Sequence, residues 1–240
     1  MIRIENTGVY GFEAAIRGMR NPMNSWENSD SFCVPNFDNC GMCPDRGKFS
    51  FIFEQDGKPY RSGIGPNDLA LMKKLGEAGP DHGKFLRMIT VTADITAPLY
   101  WYKEYDTYKV GTVANSCSTM HKIAAKEFTL DDFSHEHLLN HAETYNGYVP
   151  TAILKSVIGA LNEFRELYLK TKNKNYWWQL IQLLPSSYNQ RRTVQLNYAV
   201  LKNIFHARRN HKLDEWILFC GWIERLPYSE LITDNGHEEL

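Results

Sequence analysis

Asn197-Tyr-Ala-Val-Leu201-Lys-Asn203-Ile-Phe205-His-Ala-Arg208 reads as a helix whose start and end are both written in its residues. Asn197 follows Arg191 to Leu196, a short run given strand character by Thr193 and Val194, and its carboxamide can cap the first turn. Leu201, Ile204 and Phe205 recur at helical spacing and turn one face to a core. The segment closes on Arg208. Its guanidinium is a planar fork of donors, at a helix end where a positive charge is favoured by about 0.3 to 1 kcal/mol. Arg208 is therefore either a surface cation placed by the helix dipole or a ligand for a planar polar group.

Upstream lies a second polar cluster. Met88 to Ile95 is rich in Ile, Val and Thr and reads as a strand; Pro98 then opens a helix at its first turn, where the missing N–H costs nothing. Thr107-Tyr108-Lys109-Val-Gly-Thr112-Val-Ala-Asn115-Ser-Cys117-Ser118-Thr119-Met follows, running on to His121. From Thr151, apolar Ile153, Val157, Leu161, Phe164 and Tyr168 recur at three to four residues and predict a helix of about five turns that packs in the core. Tyr176 to Leu184 is another amphipathic helix, broken by Pro185, and Leu213 to Leu226 is a final one that packs Trp216, Ile217, Cys220 and Ile223.

Towards the N-terminus, residues 9–20 read as a short helix after Gly11, followed by a polar loop through Arg46. Lys48 to Gln55 alternates Phe49, Phe51 and Phe53 against Ser50, Ile52 and Glu54, and Asp56-Gly57 is a strong hairpin signal. Asn67 or Asp68 can cap a helix through Leu75 that Gly79-Pro80 stops. The fold class is α+β, an antiparallel sheet with long segregated helices. No repeat or Pro/Gly-rich linker divides the chain. The reading is one domain over 1–240, with a Cys-containing loop at 31–47 and a frayed acidic tail at 228–240.

Composition limits the partners. In 240 residues, 27 basic against 28 acidic side chains leave a net charge of −1, which does not suit a polyanion-binding surface, so nucleic acid is not the expected partner. No apolar run approaches the roughly 20 residues that span a bilayer, and Met-Ile-Arg-Ile-Glu lacks the apolar core of a signal peptide. A cytoplasmic protein with reduced thiols is expected. Cys33, Cys40 and Cys43 cluster, and Cys40-Gly-Met-Cys43 can point two thiolates at one Zn2+; no fourth ligand follows, and a Pro/Gly/Asn loop with free thiols is the preferred reading. His137 and His141, one helical turn apart, read as solvated helix surface. No metal site is assigned.

These segments, in this order and at these separations, resemble the flavin-dependent thymidylate synthases. In that family a His followed by a Phe-Glu-His-like turn begins a strand, and a Pro-led helix ends in the signature Arg-His-Arg-x-x-Ser-x-Asn-x-x-Ser-x-Arg-Tyr. Here His82-Gly-Lys84-Phe85-Leu-Arg87 begins the strand, Pro98 the helix, and Thr107 to Met120 occupies the signature without a gap. Leu184-Pro185, a strand, then Asn197, Leu201, Asn203, Phe205 and Arg208 match the C-terminal pattern, and Ala14-Ala15-Ile-Arg17 is similar to the family's early Ala-Ala-Arg helix.

The resemblance implies a homotetramer that binds FAD and dUMP at its interfaces, takes a methylene from methylenetetrahydrofolate and uses NADPH as reductant. By position it assigns His82, Lys84, Arg87, Tyr108, Lys109, Asn197 and Asn203 to the cofactor. Glu104, Thr107, Asn115, Cys117, Ser118, Thr119 and Arg208 fall to the nucleotide, with Arg208 on the pyrimidine. A guanidinium suits a carbonyl whose negative charge grows during attack. Cys117 has two readings, a small buried filler or a nucleophile activated by Lys109, His121 and Lys122 nearby in sequence. Arg208 and Cys117 are the catalytic candidates.

Departures from the family are chemically one-sided. Thr107, Tyr108 and Thr119 stand at cationic or potentially cationic positions, where only Lys109 keeps a positive charge. Glu104 replaces a Gln near the nucleotide, Arg87 a Glu, Ala199 a flavin-contacting Arg, and Ile181 an Arg beside Leu-Pro. A lysine cannot reproduce bidentate arginine contacts to phosphate. Arg87, Lys103, Lys122, Arg191, Arg192 and Arg209 lie near matched segments and can compensate. The expected function is one-carbon transfer to dUMP or a close variant; the alternatives are a diverged nucleotide-modifying enzyme acting without flavin through Cys117, or a non-catalytic nucleotide-binding oligomer.

Overall fold

In the computed structural model, which describes residues 1–34, 51–55, 58–143 and 146–234, the N-terminal elements are β1 (Arg3–Tyr10), α1 (Phe12–Arg20), β2 (Phe32–Val34), β3 (Phe51–Gln55), β4 (Lys58–Gly63) and α2 (Pro66–Glu77). There follow β5 (Thr90–Pro98), α3 (Leu99–Tyr105), β6 (Val113–Ser116), α4 (Pro150–Thr171), α5 (Lys174–Leu183), β7 (Asn189–Asn197), α6 (Tyr198–Arg208), α7 (Asp214–Ile223) and α8 (Glu230–Thr233). One sheet has the order β1-β5-β7-β6 and the other β2-β4-β3. The class is α+β, as the sequence indicates.

β5 is a strand because every second residue can be buried: Val91, Ala93, Ile95 and Ala97 are each 1% exposed or less, between half-buried neighbours. Its pairing with β7 is antiparallel, since Leu99 N donates to Tyr188 O and Tyr198 N to Ile89 O, both at 3.0 Å. Each strand runs directly into a helix, β5 into α3 and β7 into α6. In the smaller sheet β3 and β4 are antiparallel with Gln55 opposite Lys58. Asp56 and Gly57, the expected turn, lie outside the described residues, as do residues 48–50.

Contacts divide the chain into two compact units. The first comprises Met1–Arg3, Ile95–Thr107 and Ala114–Thr193; the second comprises Ile4–Asp94, Tyr108–Val113 and Val194–Leu240. β5 and β7 run on from one to the other.

The first unit packs Leu154, Ile158 and Leu161 of α4 and Leu180 of α5 against Ile123, Ala124, Phe128 and Phe133. Each such fully buried aliphatic side chain contributes about 1.5 to 3 kcal/mol of apolar burial. The expected helix face is rotated. α4 starts at Pro150, and the rows through Leu154, Ile158 and Leu161 are the buried ones, so Ile153 is 49% exposed while Val157, Phe164 and Tyr168 line the edge. A second aromatic core sits in α3, where Trp101 stacks on Tyr105 with ring centroids 5.1 Å apart and Tyr102 meets both edge-on.

In the second unit Phe12 meets Tyr198 and Tyr228 edge-to-face at 5.7 and 5.2 Å. α2 begins at Pro66 after Gly65, so Asp68 is not its cap. Asp68 lies in the first turn, fully buried, and accepts from Arg20 Nε at 2.6 Å. Residues 228–234 are not frayed either: Tyr228, Leu231 and Ile232 are buried, and Tyr228 Oη accepts from Ile64 N at 2.8 Å. In α7 the inward residues are Trp216, Phe219, Trp222 and Ile223, and Ile217 is 42% exposed. His137 and His141 do not share a helix; residues 135–143 form turns and bends. β1, β2 and β6 were not read from the sequence, β2 falling inside the expected polar loop.

Candidate functional site

The candidate substrate residues Glu104, Thr107, Asn115, Cys117, Ser118 and Thr119 all belong to the first unit. α3 stops at Tyr105, and Thr107 closes its last turn by donating from N and Oγ1 to the Glu104 carbonyl, at 3.1 and 2.7 Å. Asn115 lies exposed on β6, an edge strand. Immediately after it, Cys117 is gripped through its backbone: its N donates to Arg191 O at 2.9 Å and its O accepts from Gln190 Nε2 at 2.7 Å. Its thiol is exposed, so Cys117 is not a buried filler. Ser118 Oγ accepts from His121 N at 3.0 Å and tightens the turn that carries Thr119. By contrast, burial pushes the Cys220 thiol up to about 11, with the Glu224 charge adding to it, and that cysteine is inert at neutral pH.

The candidate cofactor residues and Arg208 belong to the second unit. Asn197 Oδ1 accepts from Val200 N at 3.0 Å, which makes it the cap of α6 as the sequence indicates. The amide nitrogen of the same side chain lies against Gly111, whose φ of +77° is the left-handed conformation. A Cβ at residue 111 would stand 2.8 Å from Asn197 Nδ2 and 3.2 Å from Val200 Cγ2. Gly111→Ala is therefore expected to cost about 1 to 3 kcal/mol, read by urea denaturation. A loss below 0.5 kcal/mol would show that residues 108–113 do not depend on this approach.

Arg208 is not a loose surface cation. Its Nε donates to Tyr108 Oη at 2.9 Å, and its guanidinium carbon lies 5.1 Å from the Trp216 ring centroid and 5.7 Å from that of Tyr108. The two rings stand 6.2 Å apart at 67°. Such contacts are worth about 0.5 to 2 kcal/mol and fix the plane of the guanidinium. Asn203 is exposed on α6 and Lys109 exposed beside Tyr108. His82, Lys84 and Arg87 are exposed on a 3-10 turn that Phe85 and Leu86 anchor in the core. Thr112 Oγ1 is buried and has no hydrogen-bond partner among the described residues.

Tyr108, assigned to the cofactor by resemblance, is the hydroxyl that accepts from Arg208. Trp216 and Gly111 were not read as site residues. Trp216 shows in sequence only as one apolar position of a helix, whereas Gly111 carries a signal, a glycine where the chain must turn between two polar segments. Among the described residues no group of three or more His, Cys, Asp or Glu side chains could hold a metal ion. Cys40 and Cys43 lie outside them. Among the described residues no helix is long and apolar enough to cross a membrane.

No protein-family model and no curated protein matches the sequence. Solved structures do. The crystal structure of the flavin-dependent thymidylate synthase ThyX from Helicobacter pylori complexed with FAD and dUMP superposes with a TM-score of 0.63, covering 97% of this chain and 98% of that one at 15% identity. The fold is that of the flavin-dependent thymidylate synthases. A second structure of Helicobacter pylori ThyX with FAD and dUMP gives a TM-score of 0.62 at 13% identity, covering 98% of each chain. At such identities the ThyX likeness concerns the path of the backbone, and the chemistry must be argued from this chain's own residues.

Proposed function

We propose that this chain is a flavin-dependent enzyme that transfers a one-carbon unit from methylenetetrahydrofolate to a pyrimidine deoxynucleotide, dUMP or a close variant, with NADPH as reductant. We read it as a cytoplasmic homotetramer. The observation that supports this most is Arg208, whose guanidinium is held in a fixed plane by Tyr108 and Trp216 at the end of α6. A cation oriented by aromatic walls can stabilise charge on a pyrimidine carbonyl without reorganising as it develops.

The second unit's donor set fits FAD. His82, Lys84, Arg87 and Lys109 are exposed donors suited to a pyrophosphate, Asn203 is an exposed carboxamide, and the unpartnered Thr112 hydroxyl offers one more polar contact. Asn197 would contribute its amide nitrogen, since its oxygen is engaged in the cap. When bound, the flavin supplies the hydride chemistry. In the first unit Asn115, Ser118, Thr119, Thr107 and Glu104 would orient the nucleotide, and exposed Lys103 and Lys122 supply positive charge for its phosphate where the family's arginines are replaced.

The purified protein, incubated with FAD and desalted, is expected to keep the visible absorbance of oxidised flavin and to change that spectrum on addition of dUMP. A colourless protein would contradict the proposal. It would favour nucleotide modification without flavin through the exposed thiol of Cys117, a reading that full activity of Cys117→Ser would in turn remove.

A further inference from the structure

Arg192 is set apart from the other cations near the candidate substrate residues because it faces into the first unit. Its side chain is 12% exposed, and its guanidinium carbon lies 3.7 Å from the centroid of the Tyr102 ring. Its Nη1 donates to Asp106 Oδ1 at 2.7 Å and its Nε to Gln190 Oε1 at 2.9 Å. Gln190, 7% exposed, passes the connection on by donating to the Cys117 carbonyl at 2.7 Å. A continuous path thus runs from the end of α3, where Glu104 and Thr107 sit, through Asp106, Arg192 and Gln190 to Cys117.

Two of the three guanidinium nitrogens are committed and one face is covered, so Arg192 does not compensate for the missing phosphate ligands in the way its sequence position suggests. The geometry points to another role. We propose that Arg192 is a positioning residue that sets the spacing between the end of α3 and the Cys117 segment, so that both meet one nucleotide. This rests on the reading of those two segments as the substrate side. The planar fork is what the role needs: a lysine presents a point charge and cannot stack on Tyr102 while donating in two fixed directions. The buried Gln190 amide, its donor and acceptor both engaged, holds the relay in one arrangement.

The test is alkylation of the full-length protein by iodoacetamide, with Cys117 and Cys220 followed separately by peptide mass. Cys220 is 4% exposed and reports global loosening. Arg192→Lys and Arg192→Met are expected to change the Cys117 rate by about three- to tenfold, the range that one or two lost hydrogen bonds give, with Cys220 unchanged and protection of Cys117 by dUMP lost. Asp106→Asn, at a half-exposed position that tolerates substitution, should act in the same direction with a smaller change. Wild-type Cys117 rates and dUMP protection in both Arg192 variants would overturn the proposal, as would equal acceleration of Cys220. Failure of dUMP to protect Cys117 in the wild type would instead count against the substrate reading, while the Cys117 rates without nucleotide still decide whether Arg192 holds the segment.

Discussion

Arg208→Ala is expected to lower kcat/KM for dUMP by about 100- to 1,000-fold while flavin stays bound, the loss seen when one preorganised donor to a developing oxyanion is removed. The direction follows from geometry. Arg208 donates to Tyr108 and lies against Trp216, so the plane of its guanidinium is set before any ligand arrives. Tyr108→Phe keeps the ring contact and removes the hydroxyl acceptor, and it should reproduce a smaller part of the same loss, about three- to tenfold. Steady-state kinetics with the flavin content measured in parallel checks both. Unchanged nucleotide affinity and turnover in Arg208→Ala would remove Arg208 from the site.

Arg20→Met should be the most destabilising single change in the second unit, by about 3 to 5 kcal/mol, because it strands a carboxylate with no route to water. Asp68 is fully buried and held by Arg20 Nε at 2.6 Å, Ser29 Oγ at 2.6 Å and Ser31 N at 3.2 Å. Burial by itself raises its pKa, but hydrogen bonds from Ser29, Ser31 and Arg20, with the Arg20 charge, hold the carboxyl below its ordinary value. A depressed native pKa stabilises the fold above the unfolded value of about 3.9, and that contribution is lost as pH falls from there through the native pKa. The wild type should therefore lose stability on acidification below about pH 4, and the variant should lose less over the same window. Chemical denaturation at several pH values measures both; a variant within 1 kcal/mol of wild type would refute the account of this pair.

What the sequence made legible is what local chemistry controls. Asn197 caps α6 and Leu201, Ile204 and Phe205 are buried, because cap and periodicity act within a turn or two. The order of strand, helix and strand was readable on the same grounds. Contacts across long separations were not: nothing local ties Tyr108 to Arg208 or Gly111 to Asn197, and Arg192 looks like any cation until Asp106 and Gln190 are seen around it. β6 escaped because all four of its residues are exposed, so an edge strand with no buried face leaves no alternation to read. For residues 228–234 the difference has the opposite cause, the acidic composition of the segment masking Leu231 and Ile232, which are 4% and 0% exposed. In α4 both Ile153 and Leu154 fit a spacing of three to four residues, and tertiary packing buries the rows through Leu154, Ile158 and Leu161, leaving Ile153 outward.

The most direct test of the proposed chemistry is release of tritium from the 5-position of labelled dUMP by the flavin-loaded protein with NADPH and methylenetetrahydrofolate. Release that needs flavin and falls with Arg208→Ala is the result expected. A folded, flavin-loaded protein that binds dUMP and releases no tritium above the protein-free control would contradict it.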